Sequence, residues 1–314
     1  MNILDFSATH IAEAEKLALS NYNAERSVVT ELPYIDKLPD LTSFSDNGLG
    51  VTAFDSGKML GFLCCHNLRN HAFKSEARGI FSPIHAHGAI TEARGGIYQR
   101  LYQAASEKWV KNKIAYHSIA LYAHDYEAVD AMFSYGFGLR CVDAIRPMEN
   151  ISDKPNETFS FCELHKSRIS EIRELRRLLY EHMGCAPCFM YSTRNDLAAK
   201  IARAEERDSR IFIAKRGETL IAFIEICADG ENFATTVQKM LNICGAYCIP
   251  QFRGNGIFQS LLNHAISVLR TDGYTKLGVD FESFNPTANG FWSTYFTAYT
   301  KSLVRRIDEC AIRD

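Results

Sequence analysis

The stretch Ile249-Pro250-Gln251-Phe252-Arg253-Gly254-Asn255-Gly256-Ile257-Phe258-Gln259-Ser260-Leu261-Leu262 decides the fold. The apolar run Leu241 to Ile249 reads as a strand and enters a loop with two glycines. A helical pattern begins almost at once. A strand–loop–helix junction of this kind presents backbone N–H groups without acceptors and the positive end of a helix dipole, which suits a pyrophosphate. The dinucleotide fingerprint requires a third small residue where this chain has Gln259. The Walker loop requires Gly-Lys-Ser/Thr, which the chain lacks. Both common nucleotide readings fail.

Working outward, the chain repeats itself. Gly96-Ile97-Tyr98-Gln99-Arg100-Leu101 matches Gly256-Ile257-Phe258-Gln259-Ser260-Leu261 at an offset of 160. The same offset pairs Gly57 with Gly217, Ala128 with Ala288 and Tyr135 with Tyr295. Each copy predicts a helix (9–21; 168–182), two strands around a Gly turn (49–55 and 59–66; 210–215 and 219–227) and a strand leading into a helix (97–111; 256–270). A strand (117–123; 276–283) and a last helix (126–135; 287–295) close each copy. This order implies an α/β (α+β) chain of two tandem domains, each a mixed sheet flanked by helices. The expected boundaries are 1–147 and 159–314, with a proline-bearing linker at 148–158.

Composition bounds the function. A net charge of −2, with no basic stripe, gives no reason to expect nucleic acid or an anionic membrane as partner. The sequence offers neither a signal peptide nor a run of about 18 apolar residues. Ten cysteines in 314 residues form no disulfide framework, so a reducing cytoplasm is the expected setting.

The glycine loop resembles motif A of the GNAT superfamily of N-acetyltransferases. There Pro-x-aromatic-Arg-Gly-x-Gly-Ile follows a strand, and here Pro250-Gln251-Phe252-Arg253-Gly254-Asn255-Gly256-Ile257 stands in its place. The family signature [Gln/Arg]-x-x-Gly-x-[Gly/Ala] runs from Gln251 to Gly256. Phe258 departs from the small residue usual one step later. Downstream, Asn285 and Ala288 match the family's Asn-x-x-Ala-x-x-x-Tyr, but Trp292 replaces the tyrosine. The resemblance covers both copies, and Tyr135-Gly136-Phe137 keeps a Gly-Phe in the first.

The resemblance implies acetyl-CoA as co-substrate, no metal, and a small-molecule or peptide amine as acceptor. Cys248, Ile249, Gln251, Arg253, Gly254, Asn255, Gly256, Ile257, Phe258, Asn285 and Trp292 would hold the co-substrate, with N–H groups near Cys248 and Ile249 polarising the thioester carbonyl. An indole cannot protonate a leaving thiolate, so Tyr295, one turn beyond Trp292, is the candidate acid.

Comparing the copies singles out the second as the working one. Arg253 and Gly254 face Ala93 and Arg94, Asp280 and Glu282 face Ala120 and Tyr122, and Asn285 faces Asp125. Alternation puts Asp280 and Glu282 on one strand face, where a covered strand should be apolar. Either they pair with Arg305, Arg306 or another base, or one of them, Glu282 by preference, relays a proton from the acceptor ammonium.

Other residues are readier to mislead. Cys185 and Cys188 with His182 have metal-like spacing but no second ligand pair. Cys244 and Cys248 are expected to share a strand face and to line a channel or the core, Cys248 being a less favoured candidate nucleophile. His85 and His87 mark either a degenerate pocket or satisfied structural histidines. Trp109 and Trp292 read as core or cleft-wall aromatics. The reading is therefore an acetyl-CoA-dependent N-acetyltransferase. Its rivals are a non-catalytic acetyl-CoA-binding sensor and transfer from another activated donor.

Overall fold

The computed structural model describes residues 1–151 and 158–312. The expected linker at 148–158 lies mostly outside the described residues. Two compact units emerge, Met1–Val142 with Ala298–Asp314, and Asp143–Thr297.

The first unit holds β1 (Asn2–Asp5), α1 (Ile11–Val28), α2 (Thr42–Ser45), β2 (Val51–Asp55), β3 (Lys58–Leu63), β4 (Arg78–Ser82), β5 (His87–Ala89), α3 (Arg94–Lys111), β6 (Ile114–Tyr122) and α4 (Tyr126–Ser134). β7 (Gly138–Pro147) begins in this unit and ends in the second. The second unit continues with β8 (Ser160–Leu164), α5 (Arg173–Gly184), α6 (Arg194–Glu206), β9 (Ser209–Arg216), β10 (Thr219–Cys227), β11 (Met240–Cys248), α7 (Ile257–Thr271), β12 (Lys276–Glu282) and α8 (Pro286–Tyr295). The last strand, β13 (Thr297–Arg306), pairs antiparallel with β6, from Thr300 opposite Tyr122 to Arg306 opposite Tyr116.

The units therefore do not follow the expected boundaries. The end of the chain belongs to the first unit, because β13 pairs with β6 and buries Leu303 in that unit's core. The elements themselves fall where the repeat placed them, and the sheets are mixed and mostly antiparallel with flanking helices. No described helix is long and apolar enough to cross a membrane.

In the second unit, β8, β9, β10 and β11 form an antiparallel run, and β12 then joins β11 in parallel. The apolar stripe of α7 (Ile257, Leu261, Leu262, Ala265, Ile266, Leu269) is wholly buried, and the helix packs on β8, β9 and β10. On the other face α5 packs on β10 and β11. There Arg176 Nη2 donates to Glu225 Oε2 at 2.9 Å, and both side chains are buried. Glu225 sits at a bulge, where pairing skips from Ile243 to Gly245 and leaves Cys244 unmatched. Truncating one member of such a pair strands a buried charge, so Arg176→Ala should destabilise the chain by about 3–5 kcal/mol in urea melts.

Candidate active site

β11 and β12 pair only from Met240 opposite Lys276 to Ile243 opposite Val279. Both strands continue, to Cys248 and Glu282, without pairing further with each other. The sheet opens into a wedge at their C-terminal ends, where ligands of parallel strands commonly sit. Two cavities occupy this region, of about 290 and about 250 Å3. They share Leu179, Ala246, Asn285, Ala288 and Trp292, and so form the two sides of one cleft.

The first side is built from the glycine loop. Gly254 and Gly256 have φ of +77° and +72°, left-handed values that glycine adopts without strain. Gly256 is the N-cap of α7 and contributes no side-chain cap, so the first-turn N–H groups of Ile257 and Phe258 stand without intrahelical acceptors. Arg253 Nε donates to the Cys248 carbonyl at 2.8 Å, and its guanidinium lies over the Tyr247 ring. That bond ties the loop to the end of β11. Of the loop residues, Arg253, Gly254 and Phe258 line the cavity. Gln251 and Asn255 are exposed, and the Ile257 side chain is in the core. Phe258 packs edge-on against Phe291 at 4.9 Å and Trp292 at 5.9 Å, so the bulk that departs from the motif is taken up in an aromatic cluster.

Cys248 and Ile249 differ in what their N–H groups can do. Ile249 donates to the Ile221 carbonyl at 3.0 Å, so its N–H is spent within the sheet. Alternation turns the Cys248 N–H the other way, towards the open wedge. Cys248 also lines the cleft, and burial pushes its thiol up to about 11. A thiol held protonated is a poor nucleophile, which argues against an acetyl-cysteine. The bulge at Cys244 breaks the strict alternation that would have given Cys244 and Cys248 one face. Cys244 lines the second cavity and Cys248 the first.

Asp280 and Glu282 both line the second cavity. Neither forms a salt bridge among the described residues. Arg305 and Arg306, the expected partners, donate to the hydroxyls of Tyr102 and Tyr116 instead. Burial, reinforced by Glu231, Asp143 and Glu282 nearby, pushes Asp280 up to about 8. Asn285 is buried and caps α8, accepting from Ala288 N at 3.4 Å. Trp292 is buried and forms a wall common to both cavities.

Tyr295 lines neither cavity. Its ring packs on Phe291 at 4.8 Å instead. Tyr295→Phe should accordingly leave kcat within about threefold of wild type, as expected for a substitution outside the reacting groups. His182, by contrast, lines the first cavity and contacts Thr287 Oγ1 at 3.3 Å. The i, i+3 spacing of Leu179 and His182 on α5 was the available signal. Among the described residues no group of three His, Cys, Asp or Glu could hold a metal.

The first unit treats the same positions differently. Arg94, in place of Gly254, donates from Nε and Nη2 to both Asp125 oxygens at 2.6–2.9 Å, and from Nη2 to Asn21 Oδ1 at 2.8 Å. Glu127 Oε2 accepts from Gly95 N at 3.2 Å, placing an internal carboxylate at the start of α3. His87 donates from Nε2 to the Ala120 carbonyl at 2.7 Å and accepts from the Tyr98 hydroxyl at 2.9 Å. It thus bridges β5 and β6. Both histidines are held neutral, because burial pushes His85 and His87 down to about 4.

Residues 171–295, all within the second unit, match the model of the acetyltransferase (GNAT) family. Over these residues the second unit is similar to the GNAT family. That similarity supports acyl transfer as its general chemistry. No curated protein matches the chain. Among solved structures the chain resembles a GCN5-related N-acetyltransferase from Sphaerobacter thermophilus, at 12% identity, with 97% of this chain and 95% of that one covered and a TM-score of 0.57. It also resembles the GCN5-related glucosamine N-acetyltransferase region of a fungal multi-domain GH3 beta-N-acetylglucosaminidase, at 16% identity, 96% and 38% coverage and a TM-score of 0.51. At these identities the likeness shows the fold alone.

Proposed function

We propose that the second unit transfers an acetyl group from acetyl-CoA to a primary amine by direct attack. The observation that carries this reading is the wedge between β11 and β12, with a glycine-capped helix start on one side and Asp280 on the other. Arg253, Gly254 and the N–H groups of Gly256, Ile257 and Phe258 suit the pyrophosphate. Asn285, Trp292 and Cys248 wall the channel for the thioester arm.

The acceptor enters from the second cavity. Asp280, ionised above about pH 8, takes a proton from its ammonium. The freed nitrogen attacks the thioester carbon, the C–N bond forms, the C–S bond breaks with its electron pair on sulfur, and the excess proton on nitrogen passes to the departing thiolate, giving the amide and coenzyme A. The Cys248 N–H donates to the carbonyl oxygen as negative charge builds there. Glu282, on the same strand face, holds the acceptor and keeps Asp280's proton affinity high.

One observation favours a second reading, a binding module without turnover. Trp292 occupies the family's tyrosine position, and the nearest helical phenol, Tyr295, lies off the cleft. Coenzyme A release with a panel of primary amines separates the two. Release above the rate without amine supports the enzyme, and thermal stabilisation by acetyl-CoA without release supports the sensor.

A further inference from the structure

The first unit carries a cavity of about 260 Å3 that the proposed reaction does not use, and every residue around it belongs to that unit. Its floor is one face of β4, β6 and β13, which lie side by side. Ile80, Ile119 and Leu303 point into the core with α3, so alternation sends Phe81, Ser118, Ser302 and Val304 to the opposite face. Ser118 stands directly across from Val304. Both serines are half-buried, and neither hydroxyl has a hydrogen-bond partner among the described residues.

The segment ahead of β4 forms the wall. Arg69 and Gly79 exchange two backbone hydrogen bonds, at 2.8 and 2.9 Å, which pin it to the sheet edge. Beyond the pin His71, Phe73 and Lys74 hold φ of +56°, +51° and +62°, a region that residues with side chains ordinarily avoid. Such strain persists only where the surroundings enforce it, and it gathers at ligand clamps. The Phe73 ring lies edge-on to Tyr116 at 5.1 Å, and the Arg140 guanidinium lies over it at 4.3 Å. Phe73 is still 44% exposed, so part of its ring is open to a ligand.

Charge selects what enters. Arg69 and Arg140 give the lining a formal charge of +2, and no carboxylate lines the cavity. A guanidinium stacked on a ring keeps its N–H groups in plane, where a carboxylate meets them as a fork. Serine hydroxyls donate to the same group. Aromatic walls with a few polar groups suit a flat ring.

We propose that this cavity binds a small aromatic carboxylate, its ring against Phe73 and Tyr116 and its carboxylate accepting from Arg140 and the serine hydroxyls. Arg69 adds positive charge at the rim. The site does not depend on the transfer reaction.

The Tm of the full chain, followed against sodium benzoate concentration, tests the proposal. Acetate lacks the ring, benzyl alcohol lacks the charge, and benzylammonium carries the opposite one; each serves as a control at equal ionic strength. Benzoate should raise the Tm, and no control should match it. Arg140→Gln should weaken benzoate about tenfold, the loss expected for one hydrogen bond to a charged group. Ser302→Val should weaken it by a similar factor; it keeps both arginines and suits a strand, so it serves if Arg140→Gln fails to fold. The proposal is overturned by no benzoate shift at millimolar concentration, by an equal shift with any control, or by benzoate affinity unchanged in either folded variant.

Discussion

Replacing Asp280 by Asn is expected to lower kcat by about 10²–10⁴-fold, the usual contribution of a positioned general base. Affinity for acetyl-CoA should stay near wild type, because Asp280 lines the acceptor side of the cleft and not the glycine-loop side. The pH dependence carries the same assignment. Asp280 sits at about 8, so wild-type kcat/KM should rise with pH up to about 8 and lose that limb in the variant. Glu282→Gln should retain it.

Stability supplies an independent reading of the same group. An unfolded aspartate titrates at about 3.9, and the folded one at about 8. Between these values the folded chain holds a proton that the unfolded chain has lost. Stability therefore falls as pH rises through the window and stays lower above it. Asp280→Asn abolishes this dependence, so its Tm advantage over wild type should grow from pH 4 to pH 8 and then level off. A Tm difference that is flat with pH would contradict the raised Asp280.

The second large effect comes from putting the first unit's plug into the second. Gly254→Arg reproduces Arg94, and Asn285→Asp reproduces its partner Asp125. A Cβ at Gly254 would meet nothing within 4 Å. The substitution should fold, at a cost of about 1–2 kcal/mol for a side chain at positive φ. The guanidinium and its ion pair would then occupy the space above α7, and acetyl-CoA affinity should fall about 100-fold or more, the equivalent of two charge-assisted hydrogen bonds. Calorimetric titration of each variant reads the loss, and circular dichroism verifies that the helices remain.

Local features of the site were legible in the sequence, because local chemistry dictates them. Gly254 and Gly256 hold φ values that other residues resist, and the α7 stripe had to be buried somewhere. The contrast of Gly254 with Arg94 marked the first copy as altered, and the structure adds the Asp125 and Glu127 bonds that fill it. What could not be read depends on partners far along the chain. β13 joins β6 across more than 170 residues, and no periodicity in either strand names the other. The wedge is set by where β11 and β12 stop pairing, which follows from the bulge at Cys244 and not from strand propensity. Tyr295 looked equivalent to Trp292 by one helical turn, yet packing on Phe291 holds it off the cleft. Glu282 lies nearer the strand end, but burial among carboxylates sets Asp280's proton affinity near neutrality.

Isothermal titration of acetyl-CoA into the full chain tests the central claim most directly. The wedge and glycine loop of the second unit call for one site per chain, because in the first Arg94 stands in place of the loop glycine and is ion-paired to Asp125. One site per chain that disappears in Gly254→Arg is the expected result. No binding, two sites, or a single site that survives Gly254→Arg would contradict it.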